Sequence, residues 1–270
     1  MHRTLLVVVG DEEVAVSNPR KLRQRPGWAY GLCIRVVEPL LLLITKRRWI
    51  DGEKIPVEGG CVVAANHISH LDPLTFAHFV YGYGRLVRFL AKASVFDIPL
   101  VGRVVRGAGQ IPVYRLTTDA SQAFRAAVTA VEKGECVVVY PEGTITRQPD
   151  MWPMTGKAGA ARIALSAGVP VIPVAQWGAQ DILAPYKKVP HVFPRKTITC
   201  KAGDPVDLDD LRGQQLTTAV LREATNRIMD AITRLLEDIR AEQAPAVRFD
   251  ARTAGVRLIG NPNKRERGDR

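Results

Sequence analysis

Cysteine is scarce in this 270-residue chain, and the four present (Cys33, Cys61, Cys136 and Cys200) stand far apart with no paired spacing. That excludes a C-x-x-C redox motif and a zinc framework, and it suits a reducing compartment. Cys61 and Cys136 each open an apolar run that reads as a strand, so they are expected to be small buried hydrophobes rather than catalytic thiols. Gly-x-Ser-x-Gly is missing, which removes the usual serine nucleophile elbow. No His, Cys or carboxylate cluster has metal-ligand spacing, so no metal is expected, and no internal repeat is visible. Long hydrophobic runs are lacking too. Before Asp11 the N-terminus carries only a very short apolar stretch, less than the roughly 7 to 15 residues that a cleaved signal needs. The most apolar stretch, Trp28 to Ile44, is interrupted by Arg35, Glu38 and Pro39 and falls short of the roughly 20 clean residues of a spanning helix.

What the chain has in excess is positive charge, 38 basic against 27 acidic side chains for a net +11. Such a surplus attracts an anionic partner: nucleic acid, an anionic membrane surface or a phosphorylated substrate. Arg20, Lys21, Arg23 and Arg25 precede the apolar stretch, Lys46, Arg47 and Arg48 follow it, and Trp28, Tyr30 and Trp49 mark its ends. Basic clusters meet anionic headgroups and aromatic rings favour the interfacial layer, so this segment is expected to lie on a membrane rather than cross it. A core helix capped by solvated charges is the other reading of the same pattern. No aromatic platform, helix-turn-helix or zinc spacing accompanies the basic tail after Pro245, and nucleic acid is not expected as a partner.

From Cys61 onward, short β-branched runs alternate with helical stretches. CVVAAN, LVRFLAK, GQIPVY, CVVVYP, VPVIPVAQ and KTITCKAG read as strands, and the segments near 73–81, 97–107, 118–133 and 157–167 read as helices. The expected fold is α/β, with a mainly parallel or mixed central sheet flanked by helices and an N-terminal interfacial, membrane-associated helical segment. One long amphipathic helix follows over roughly 215–242, with Leu216, Val220, Ala224, Ile228, Ile232, Leu235 and Ile239 at three- and four-residue spacing. The division expected is a mobile arm over 1–25, the interfacial segment over 26–50, an α/β domain over 51–242 and a loosely ordered basic tail over 243–270.

The sharpest local feature is Asn66-His67-Ile68-Ser69-His70-Leu71-Asp72-Pro73. Five residues are about 500° of rotation on one α-helix, which separates His67 from Asp72, so the two meet only across a turn. Asp72-Pro73 supplies a turn, since Asp suits a helix N-cap and Pro the first helical position. Capping alone accounts for Asp72. The chemical alternative sets its carboxylate on one imidazole nitrogen of His67, so that the other nitrogen can take a proton from a hydroxyl. Spacing leaves both open.

With three further blocks the chain resembles the 1-acyl-sn-glycerol-3-phosphate acyltransferases and their glycerolipid relatives, which share an Asn-His-x-Ser-x-x-Asp block. These are Gly109-Gln110-Ile111-Pro112-Val113-Tyr114-Arg115, Tyr140-Pro141-Glu142-Gly143-Thr144 and Val169-Pro170-Val171-Ile172-Pro173-Val174, in that order. The stretches 91–96 and 157–162 also look like family segments, so the resemblance covers roughly residues 28–205. It implies acyl transfer to the glycerol hydroxyl of lysophosphatidate or glycerol 3-phosphate in phospholipid biosynthesis. The donor would be acyl-CoA or an acyl carrier protein thioester, with no further cofactor and no covalent acyl-enzyme. His67 would be the general base and Asp72 its orienting partner. Lys92 and Arg115, at strand ends, would clamp the acceptor phosphate. Glu142, Gly143 and Thr144 would bind the substrate, Gly143 by close backbone approach and Glu142 by accepting hydrogen bonds from the glycerol hydroxyls. Many relatives carry Arg directly after Glu-Gly-Thr, whereas this chain has Ile145, Thr146 and then Arg147, so Arg147 is a displaced member of the clamp. That departure keeps another lysophospholipid or a glycolipid acceptor in view. His70 maps beside the base rather than onto it. The partners implied are acyl-CoA, a phosphorylated glycerol acceptor and an anionic membrane surface, with the enzyme peripheral on the cytoplasmic face of the cell membrane.

Overall fold

A computed structural model describes residues 5–9, 12–16, 22, 24–114, 120–257 and 260. Strands β1 (Leu5–Val9) and β2 (Glu12–Val16) form an antiparallel hairpin, where a mobile arm was expected. Helix α1 (Trp28–Ile44) follows and runs into β3 (Thr45–Ile50). The chain then alternates β4 (Cys61–Ala65), α2 (Asp72–Gly82), β5 (Val87–Lys92), α3 (Ala93–Phe96), α4 (Val101–Gly107), β6 (Ile111–Val113), α5 (Ala120–Glu132) and β7 (Cys136–Val139). It ends with α6 (Gly159–Ala167), β8 (Val171–Trp177), α7 (Ala179–Ile182), β9 (Lys196–Ala202) and α8 (Thr218–Arg240).

Seven strands make one mixed sheet in the order β3-β9-β8-β4-β7-β5-β6, parallel at every pairing except β8 against β9. β4 lies at its centre, and all five of its residues are buried, as a strand covered on both faces requires. Alternation sorts its side chains. Val62 and Ala64 pack toward α5, α6 and α8 with Val131, Ile163, Ile228 and Ile232. Cys61, Val63 and Ala65 pack toward α2 with Phe76, Phe79 and Val80. Each fully buried Ile or Phe of these layers contributes about 1.5–3 kcal/mol relative to exposure. Cys61, Cys136 and Cys200 are free thiols filling the second layer.

Three expectations about the flanks need correction. Residues 45–50, read as the basic end of an interfacial segment, are instead an edge strand paired in parallel with β9. Trp49 packs edge-on to His78 and Phe79, and the Tyr30 hydroxyl donates to the Val87 carbonyl and accepts from the Val87 amide, so neither ring is available to an interface. The stretch 97–107 is broken at Ile98-Pro99-Leu100, where proline disfavours helix in the residue before it and Leu100 takes φ +64°. The first part of the C-terminal tail is folded rather than loose: Phe249 O accepts from Thr155 N, Ala251 is buried and Arg248 pairs with Asp230. Lys264, Arg265, Arg267 and Arg270 lie outside the described residues, as do Arg20, Lys21 and Arg23.

α1 retains an apolar outer face. Trp28, Leu32, Val36, Leu40 and Leu43 recur at three- and four-residue spacing, and all are exposed. Among the described residues no helix is long and apolar enough to cross a membrane.

Candidate active site

The site is assembled where parallel strands end, the usual place for a ligand in an open α/β sheet. At the end of β4, Asn66 extends the ladder with its own side chain. Its Oδ1 accepts from Gln176 N at 2.8 Å, its Nδ2 donates to Gln176 O at 3.0 Å, and Gln176 Nε2 returns a bond to Asn66 O at 2.8 Å. The next residue, His67, thus leaves a rigid strand end.

Its Nδ1 lies 2.8 Å from Asp72 Oδ2, and that same oxygen accepts from Ile68 N at 2.6 Å and Ser69 N at 2.9 Å. The turn between strand and helix is therefore wound around the Asp72 carboxylate, which is fully buried. Capping does not account for Asp72, because its side chain faces the turn and no side chain caps α2. The Tyr140 ring, from the end of β7, stacks on the imidazole at 4.3 Å and 15°. With Nδ1 on Asp72 and one ring face stacked on Tyr140, 15% of the His67 side chain remains exposed. His70 points elsewhere, edge-on to Tyr186 at 6.0 Å, and burial, with His67 nearby, holds its imidazole below the usual range.

The turn after β7 places Glu142 behind this histidine. Its Oε1 accepts from His67 N at 3.1 Å and its Oε2 from Met154 N at 3.0 Å. Burial pushes the carboxyl up to about 8, against the hydrogen bonds, which favour the ionised form. The carboxyl expected to meet glycerol hydroxyls is thus engaged within the protein. Gly143 adopts φ +69°, a left-handed backbone conformation that favours glycine at this turn. Thr144 is half-buried beside it. Arg147 is buried with its guanidinium 4.2 Å from the Tyr186 ring centroid, and Nη2 donates to Gly260 O at 2.7 Å. Its Nε and Nη1 have no partner among the described residues, and it lines a cavity of about 390 Å³ with Thr146, Gln148, Tyr186 and Val256. Lys92 is exposed at the end of β5, in register with Val113. Arg115, two residues beyond Val113, lies outside the described residues.

The structure thus unites His67, Asp72, Glu142 and Gly143, and sets Arg147 next to them through the Thr146 N to His67 O bond of 2.8 Å. Sequence reading missed Tyr140, Gln176 and Tyr186 as parts of this arrangement. Tyr140 stood inside a quoted block, but nothing in the block told its stacking role, and Tyr186 had no signal.

An acyltransferase family model matches residues 47–177, which include every residue of this arrangement except Tyr186, Val256 and Gly260. A chloroplast 1-acyl-sn-glycerol-3-phosphate acyltransferase of Brassica napus is 32% identical over 124 residues, 46% of this chain and 34% of that protein. The match thus spans about a third of that relative's length. The 1-acyl-sn-glycerol-3-phosphate acyltransferase of Bacillus subtilis is 24% identical over 159 residues, 59% of this chain and 76% of that one. The crystal structure of the 1-acyl-sn-glycerophosphate acyltransferase PlsC from Thermotoga maritima has the same fold, with a TM-score of 0.59 and 24% identity over 80% of this chain and 81% of that one.

Proposed function

Since the chain belongs to the 1-acyl-sn-glycerol-3-phosphate acyltransferase family, we propose that it transfers a fatty acyl group from acyl-CoA or an acyl carrier protein thioester to the glycerol hydroxyl of lysophosphatidate or glycerol 3-phosphate. The observation that carries this reading is the His67–Asp72 pair at 2.8 Å on a fixed turn, with the His67 side chain still partly exposed. With Nδ1–H donated to Asp72, Nε2 is left as the acceptor for a proton. The acceptor hydroxyl oxygen attacks the thioester carbonyl carbon as its proton passes to Nε2. The tetrahedral oxyanion then collapses, the C–S bond breaks, and the imidazolium returns its proton to the departing thiolate. Asp72 stabilises the imidazolium in between. No metal or prosthetic group enters the scheme.

The acceptor phosphate is assigned to Lys92, Arg115 and Arg147, with Gly143 and Thr144 lining the approach. The exposed apolar face of α1, with Arg25, Arg35, Lys46 and Arg47 exposed on or beside it, supports peripheral attachment to the anionic cytoplasmic face of the cell membrane. A second reading, acylation of another lysophospholipid or a glycolipid, draws on Arg147, whose Nη2 is taken up by Gly260 O and whose place in the motif is displaced. Purified protein given labelled acyl-CoA and a panel of glycerol 3-phosphate, lysophosphatidate, other lysophospholipids and glycolipids should acylate the phosphomonoester acceptors most efficiently. Transfer confined to the other acceptors would select the second reading, and transfer to none would end both.

A further inference from the structure

The peptide of His67 is held from both sides by one loop. Its N–H donates to Glu142 Oε1 at 3.1 Å, and its carbonyl accepts from Thr146 N at 2.8 Å. That loop is itself closed: Lys157 N donates to Pro141 O at 2.8 Å, Thr146 Oγ1 donates to Trp152 O at 2.8 Å, and Trp152 N donates to Gln148 Oε1 at 3.0 Å. Glu142 ties across its middle, since its second oxygen takes Met154 N at 3.0 Å. The residue is only 1% exposed. A side chain so enclosed, with each oxygen facing a backbone donor, has little left to offer a substrate.

We propose that Glu142 is a positioning residue, which fixes the general base by holding its backbone amide to the 141–157 loop, and that it makes no direct contact with the acceptor. Asp72 then sets the imidazole through its ring nitrogen while Glu142 sets the same residue through its main chain. The proposal rests on the acyl-transfer reading above and departs from the expectation that Glu142 receives the glycerol hydroxyls. Burial favours the neutral carboxyl, and a neutral carboxyl still accepts from both amides, so only one full negative charge need stand behind the imidazole.

Glu142→Gln separates positioning from binding. It preserves side-chain volume but has only one carbonyl oxygen, so one of the two amides must lose its acceptor. Steady-state kinetics should show kcat reduced about 10- to 100-fold, as expected for a displaced base, with the acceptor KM within about twofold of wild type. An acceptor KM raised about tenfold or more would make Glu142 a ligand of the acceptor and overturn the proposal, as would an unchanged kcat. Hydrogen exchange needs no turnover, so it decides even if the acyl-transfer reading fails. In wild type the amides of His67 and Met154 should exchange slowly, and in Glu142→Gln at least one should exchange about tenfold faster or more. Rapid exchange of either amide in wild type, or identical exchange in the variant, would contradict the clamp.

Discussion

Asp72 and Glu142 are carboxyls on the two sides of one histidine, and their surroundings differ. A single Asp72 oxygen gathers two backbone amides and the imidazole, whereas Glu142 spreads two amides over two oxygens and is buried deeply enough to be pushed up to about 8. The linkage has a definite sign. A carboxyl raised from 4.5 to about 8 binds a proton more tightly in the folded state, so its contribution to stability is complete below pH 4.5 and is lost as pH rises toward 8. Urea unfolding across pH 5 to 8 should therefore show wild type losing stability relative to Glu142→Gln, by up to about 1.4 kcal/mol per pH unit, with no further divergence above pH 8. Parallel stability curves would mean that Glu142 titrates normally. The His67–Asp72 pair was legible in the sequence only through the family block it sits in, because spacing alone left helix capping as a full account of Asp72, and it is the 2.8 Å contact that decides between them. The role of Glu142 was not legible, because the motif names the residue while burial and two distant amides determine what it does.

At the scale of elements, the strands read most clearly were those with β-branched residues on both faces, such as β4, β7 and β8, where hydrophobic runs can only be central. β3 was hidden by its charges. Lys46 and Arg47 resemble a helix flank, but an edge strand tolerates exposed cations, and β3 is an edge. The same misreading assigned Trp49 to an interface when it packs on α2. α1 is the element with a testable surface, since its Leu32, Val36, Leu40 and Leu43 are exposed along one face. Val36→Asp, at an exposed position on that face, should weaken binding to anionic phospholipid vesicles by about tenfold or more and leave the unfolding midpoint nearly unchanged. Equal vesicle binding by variant and wild type would remove α1 as the membrane contact.

Across the whole molecule, the positive surplus is unevenly used. On the α8 side, Arg227 is paired with Asp210 and Glu223, Lys201 with Asp238 and Arg248 with Asp230. Exposed cations remain near α1 and β3, and Arg147 is held inside next to the histidine turn, where the proposed anionic surface and the proposed anionic acceptor would each find positive charge. The C-terminal segment contributes to the inner one, since Val256 walls the Arg147 cavity and Gly260 binds the guanidinium. No motif signalled that contact, because it joins residues more than a hundred positions apart. The central proposal, carried by the histidine turn, is that His67 is the base of an acyl transfer. Turnover of His67→Ala on lysophosphatidate and acyl-CoA tests it most directly. It should fall about 10² to 10⁴-fold at saturating acceptor in a protein that unfolds as wild type does, and undiminished turnover would contradict the account.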